Sequence, residues 1–184
     1  MALSKSAQRI ARTAIEAGKR VYIRKPRATD RDELLEMNRS SKSFHHPWIT
    51  VPNTDEEFDQ FLRDSRRHDY RAFLVCDLED KTIIGVLIIK NILRDDFQTG
   101  NIQYYMGRDY AGRGLMTEGL NLVLRYSKRR LKLHRLEANI QQENKQAIAL
   151  VMRCGFKMEG YSKRFKKVGG RWRDHERWAI LLED

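Results

Sequence analysis

The chain has 184 residues, enough for one domain with a substantial core, and its 36 Lys and Arg outnumber 25 Asp and Glu to give a net charge of +11. That balance points to polyanionic partners: RNA, a ribosome, or a phosphate-bearing cofactor. The longest apolar run, residues 83–89, is too short to span a bilayer, and the first twenty residues lack the apolar stretch of a secretory signal.

Taken in order, residues 4–17 read as a short Ala- and Ile-rich helix with a basic side, stopped at Gly18, so that residues 1–20 form an extra basic helix on a single domain of 1–184. Val21 to Arg24 is a short strand. Thr29 is expected to cap a helix from Asp30 to about Ser40. A loop follows, residues 41–53, containing Phe44, His45, His46, Pro47 and Trp48. Thr54 and Glu57 make a capping box that opens a helix reaching about Arg67. Ala72 to Cys76 is a strand. Thr82 to Leu93 is a long apolar strand, whose near-continuous hydrophobicity predicts burial on both faces. Asn101 to Met106 returns as the next strand.

The stretch 104–120, YYMGRDYAGRGLMTEGL, organises the rest. A strand enters it, Gly112-Arg113-Gly114 turns the chain, and a helix runs from about Met116 to about Arg130. The free N–H groups of a first helical turn, the helix dipole and two glycines make an anion site there, and its expected occupant is a pyrophosphate. The P-loop ending Gly-Lys-Ser/Thr is missing. The dinucleotide fingerprint is matched only in part, with Thr117 where its third glycine belongs. Arg135 to Ile140 is then a strand and Glu143 to Arg153 a helix with Gly155 at its C-terminal cap. The strands 157–167 and 171–182 form a hairpin around Val168-Gly169-Gly170. Together these elements predict one α+β domain on a mixed, mostly antiparallel sheet.

Cys76 and Cys154 lie far apart without metal-ligand spacing and read as reduced thiols of a cytoplasmic protein. No His, Asp or Glu near His46 has ligand spacing, so no metal is expected. Basic residues cluster at 125–135, and again at Lys163, Arg164, Lys166, Lys167, Arg171 and Arg173. Each cluster is a solvated face or a contact with ribosome or RNA, or serves in part the phosphates of a cofactor.

The element order resembles the GNAT acetyltransferases. Ala111 to Met116 is similar to the family's acetyl-coenzyme A loop, Q/R-x-x-G-x-G/A, matching at Gly114 and departing at both ends. Asn144 to Leu150 followed by Gly155-Phe156 and Glu159-Gly160 resembles the N-x-x-S-x-x-L…GF…EG signature. With the His46-Pro47-Trp48 loop and Gly170 to His175, the likeness is to the RimJ/RimL type, which acetylates protein N-termini, and particularly to ribosomal-protein-alanine N-acetyltransferases. It covers residues 21–182.

This resemblance implies acetyl transfer from acetyl-CoA to the α-amine of a protein, plausibly ribosomal, without a metal. It implies pantetheine contacts by the backbone of Met106 and Arg108. The pyrophosphate falls on Gly112, Arg113, Gly114, Leu115, Met116 and Thr117. Asn144 reaches the pantetheine arm, caps its helix, or does both. Glu137 is the candidate base or else a structural ion pair. His45 and His46, with Trp48 and Tyr105, are expected at the acceptor. The family's usual thiolate partners, a Ser and a Tyr, are replaced by Ala147 and Val151. Two other readings stay open: acetylation of a small amine such as a polyamine or antibiotic, and a ribosome- or RNA-binding module that keeps the cofactor site. No membrane partner is expected, and the oligomeric state is open.

Overall fold

The computed structural model describes residues 13–182. Eight strands form one sheet in the order β1-β2-β3-β4-β5-β6-β8-β7. They are β1 (Glu16–Ala17), β2 (Val21–Arg24), β3 (Arg71–Asp77), β4 (Ile83–Leu93), β5 (Thr99–Met106), β6 (Arg135–Ile140), β7 (Lys157–Val168) and β8 (Arg171–Leu181). Among the described residues, only β5 and β6 run parallel. The helices are α1 (Arg31–Ser40), α2 (Lys42–His45), α3 (Asp55–Asp64), α4 (Leu115–Tyr126) and α5 (Lys145–Arg153). The fold is α+β, as the sequence predicts.

Each sheet face buries its own core. One cluster holds Val21, Phe73, Leu87 and Leu136 against Leu120, Val123 and Val151 of α4 and α5. The other holds Leu74, Val86 and Ile88 against Leu34, Phe58 and Phe61 of α1 and α3. β4 lies between the two, and its residues 83–89 are all buried, which explains their unbroken apolar run. The capping box forms as expected: Glu57 N–H donates to Thr54 Oγ1, and the Glu57 carboxylate reaches back to Thr54 N–H. Cys76 and Cys154 are buried free thiols, each pushed up to about 11 chiefly by burial.

Two expectations near the N-terminus are corrected. Most of the helix expected at 4–17 lies outside the described residues, but its last residues are strand, not helix. Ile15 N–H bonds Ile23 C=O at 2.8 Å, and Glu16 pairs with Ile23. Helix propensity there loses to a sheet edge. Nor does Thr29 cap α1. It lies in a 3₁₀ turn (Ala28–Asp30), because Asp30 is drawn into a bidentate pair with Arg24 at 2.7 and 2.8 Å.

The β1–β2 turn is pinned by Glu118 of α4. Its carboxylate accepts from Lys19 N–H at 2.5 Å, Arg20 N–H at 2.8 Å and Arg20 Nε at 3.1 Å. Burial pushes this carboxyl up, but the bonds from Arg20, Val21 and Lys19 outweigh it and hold it below its ordinary range. Glu118→Ala is therefore expected to cost about 1–3 kcal/mol of stability at neutral pH. Because the folded-state value is depressed, that contribution is present above the unfolded value of about 4.3 and fades as pH falls through the folded one. Denaturant unfolding at pH 7 and in acid checks it: the difference between wild type and variant should be large at pH 7 and shrink steadily as the pH is lowered below about 4.3.

Candidate active site

The parallel strands β5 and β6 separate into a gap. Their pairing runs from Thr99–Arg135 to Asn101–Glu137 and stops, while β5 stays paired with β4 as far as Met106. A bulge lies on the far neighbour. β4 loses register between Lys90 and Leu93, with Asn91 left-handed at φ 53°, level with the point where β5 leaves β6. Asn139 Nδ2 donates to Asn101 Oδ1 at 3.0 Å and closes the narrow end.

The hydrogen-bond phase of β5 decides which peptides face the gap. Gly107 N–H bonds Ile84 C=O at 2.9 Å, so in the antiparallel alternation the N–H and C=O of Met106 and Tyr104 point away from β4. They are aimed where β6 has withdrawn. A ligand arm laid there meets exposed peptide groups as if it were an added strand.

At the wide end the chain enters the glycine turn. Gly112 and Gly114 both have φ 74°, which is why glycine stands at each. Gly114 is the residue before α4, and no side chain caps the helix. The N–H groups of Leu115, Met116 and Thr117 therefore open onto the cleft, while Leu115 and Met116 bury their side chains in the core. Thr117 Oγ1 is buried with no hydrogen-bond partner. Glu118, the one carboxylate in this turn, is occupied by the β1–β2 turn. Arg20 comes the other way, donating to Arg113 C=O at 2.8 Å. An uncapped helix end, an orphaned hydroxyl and an arriving guanidinium fit a diphosphate.

The cleft over this turn has a volume of about 580 Å³. Phe44, His45 and Trp48 wall one side, and Asn144, Lys145 and Arg153 of the α5 region wall another. A second pocket of about 320 Å³ lies across the gap, reaching Gln103, Asn139, Lys166 and His175. Trp48, Tyr104 and Asn144 border both. Tyr104 Oη donates to Ala147 C=O at 2.8 Å, and burial drives its phenol far up, so it stays protonated. Asn144 Oδ1 accepts from Ala147 N–H at 3.1 Å, capping α5, while the residue still lines both cavities. Among the described residues, neither cavity has Asp or Glu in its wall, and no group of three or more His, Cys, Asp or Glu is placed to hold a metal.

Several expected site residues sit elsewhere. Arg108 N–H is engaged by Ser41 Oγ at 3.0 Å, and its side chain is exposed beside Asp109. Arg113 is exposed outside the cleft wall. Glu137 is ion-paired with Arg135 at 2.8 Å and lines neither cavity. His46 is exposed, whereas His45 is 5% exposed and lines the cleft. The short α2 accounts for this: His45 ends its turn facing inward, and His46 continues in extended conformation away from it. His45 Nε2 donates to Met106 C=O at 2.9 Å, leaving Nδ1 buried without a partner. Burial holds its pKa below the ordinary value despite that bond. Tyr105 lines the cleft but is 6% exposed, with a partnerless hydroxyl, and serves mainly as core. Asp174 and His175 do not pair. Asp174 bonds Tyr161 Oη at 2.5 Å and Arg164 N–H at 2.7 Å, and His175 bonds Arg173 C=O at 3.0 Å.

Residues 20–157 match the acetyltransferase (GNAT) domain family. Among curated proteins, the chain is 29% identical over 175 residues to Probable N-acetyltransferase YjcK of Bacillus subtilis (strain 168), covering 91% of this chain and 97% of that one. It is 38% identical over 112 residues to the ribosomal protein uS5-alanine N-acetyltransferase of Escherichia coli (strain K12), covering 61% of this chain and 58% of that one. It is also 29% identical over 164 residues to spermidine N(1)-acetyltransferase of Vibrio cholerae, covering 84% and 91%. Among solved structures it is similar to Mycobacterium smegmatis RimJ in complex with CoA-disulfide, with a TM-score of 0.80, 26% identity, and coverage of 88% of this chain and 81% of that one. A sheet split between β5 and β6, an uncapped helix beside the split and these matches agree: the chain belongs to the GNAT acetyltransferase family.

Proposed function

We propose that this acetyltransferase uses acetyl-CoA to acetylate the N-terminal α-amine of a protein, with a ribosomal protein as the acceptor. The observation that carries this reading is the wall chemistry. Among the described residues both cavities are bordered by amides, aromatics and cations, without a carboxylate. An α-amine has a pKa of about 8, so a sizeable fraction is neutral at pH 7.5, and water can take the proton. A polyamine ammonium near pKa 10 is almost wholly charged at that pH and needs both a base and an acidic pocket. The likeness to the uS5-alanine enzyme supports the same reading.

In this reading the diphosphate rests on the backbone of Gly112 and Gly114 through Thr117, and Arg20 adds charge. Met106 N–H is the donor available to an oxygen developing negative charge. Asn144 holds the arm while capping α5. Tyr104, protonated and bordering both cavities, donates its O–H to Ala147 C=O, so toward a thiol it can act only as an acceptor. His45 fixes the Met106 peptide and, with Trp48, walls the acceptor side. When bound, acetyl-CoA supplies the activated thioester. Arg129, Arg130 and Lys132, exposed beyond α4, are the cations left for a ribosome or RNA contact, since Arg125 and Arg135 are paired with Glu16 and Glu137.

Free thiol release from acetyl-CoA tests the proposal. Ala- and Ser-starting peptides should turn over at pH 7.5, and the same peptides blocked at the N-terminus should not. Spermidine should show kcat/KM at least about 100-fold lower, as its smaller neutral fraction demands. Spermidine turnover equal to that of the best peptide would overturn the reading.

A further inference from the structure

We infer that the second pocket selects acceptors by charge, preferring N-termini with a Glu or Asp side chain at residues two to four, which Lys166 of the pocket wall holds. The inference rests on the proposed N-terminal acetylation and adds its specificity.

Lys166 stands near the tip of the β7–β8 hairpin and lines the pocket, with Lys167 beside it. Lys90 is half-buried on β4 opposite Asn101, whose amide is bonded to the pocket residue Asn139. Cross-strand partners share a sheet face, so Lys90 and Asn101 lie on one side. Lys90 is lowered to about 8, first by burial and then by the charge of Lys166. His175, in the same pocket wall, also feels Lys166, behind the larger effects of burial and its bond to Arg173 C=O. Lys166, a wall residue of this pocket, thus stands close to both.

Among the described residues, neither Lys90 nor Lys166 has a carboxylate within ion-pair distance. Asp174 is held by Tyr161 and Arg164, and its effect on His175, like that of the exposed Glu143, ranks below that of Lys166. Two neighbouring ammonium groups, one of them half-buried, are a standing repulsion that an arriving carboxylate relieves. The pocket continues from the gap at Tyr104 and Asn144, where the acceptor amine must arrive. An extended peptide advances about 3.3 Å per residue, so its second to fourth residues run out along the pocket toward the hairpin.

The test compares equally long free-amine peptides starting Ala-Glu-Glu, Ala-Gln-Gln and Ala-Lys-Lys, each with an N-blocked control. In the wild-type protein, kcat/KM should be about tenfold higher for the acidic peptide than for the neutral one, and lower again for the lysine peptide. That spread should shrink in high salt. Lys166→Glu should invert the ratio of acidic to lysine peptide, whereas a merely structural change would scale all three alike. Equal rates for the three free-amine peptides would overturn the inference and leave N-terminal acetylation standing. Equal rates with competitive inhibition by a short RNA would assign these cations to nucleic acid and overturn it as well. No turnover of any free-amine peptide would overturn the underlying function instead.

Discussion

Gly112→Asp is expected to weaken CoA binding by about 100-fold, while Gly112→Asn changes it by no more than a few fold. Gly112 sits at φ 74° and lines the cleft, and a Cβ added there meets nothing within 4 Å. The two replacements therefore differ in charge and hardly in shape. Asn and Asp both tolerate the left-handed conformation better than other side chains, and the residual strain, about 1 kcal/mol, falls on free and bound protein alike. It appears in thermal stability and cancels in affinity. The charge does not cancel. A carboxylate about 5 Å from one phosphate charge costs about 3 kcal/mol at an effective dielectric constant near 20, which is roughly 100-fold in Kd. Calorimetric titration with CoA at low and high salt separates the contributions, because salt relieves only the charge. Equal losses in both variants would make backbone geometry the determinant. No loss in either would remove the diphosphate from this turn.

This turn was legible because its causes are local. Two glycines within the three residues before an amphipathic helix impose left-handed backbone and an uncapped helix start whatever surrounds them. The Thr54–Glu57 box and the apolar run of β4 are local in the same sense. What the sequence hid was decided at long range. Ala14 to Ala17 has helical composition, yet it borders the sheet because Glu118, about a hundred positions on, captures the turn that follows. Glu137 and Asn139 share a face of β6, as alternation requires, but Arg135 takes Glu137, and Glu159 from β7 completes that cluster. Arg108 lost its N–H to a serine 67 residues earlier. Of two adjacent histidines the inward one was His45, and the four-residue α2 that decides this leaves no periodicity to read. The sequence thus carried the glycine turn, made of backbone, better than the walls of the cleft, made of side chains from separate elements.

Gly85→Ala is expected to reduce kcat/KM by about 100-fold although residue 85 touches neither cavity. Gly85 lies on β4 opposite Met106, and an added Cβ would fall 2.5 Å from Tyr105 O, 2.6 Å from Met116 Cε and 2.9 Å from Met106 Cα. Two of those atoms are backbone, so β5 must give way at the peptides that face the gap. Overpacking of this kind costs about 1–3 kcal/mol of stability. The larger effect is on chemistry, because a displacement of about 1 Å in a positioning group can cost roughly 100-fold in rate. The third contact offers a control. Met116 is flexible and can move, so Gly85→Ala combined with Met116→Ala removes the side-chain clash and leaves both backbone clashes. If the displaced Met106 peptide is the cause, the second substitution restores stability in part and activity hardly at all. Recovery of both would trace the effect to Met116, and so to the helix end that Met116 anchors. CoA affinity distinguishes the two routes. It should fall less than activity does when only the end of β5 moves, because the diphosphate contacts are kept, and fall together with activity when the first turn of α4 shifts.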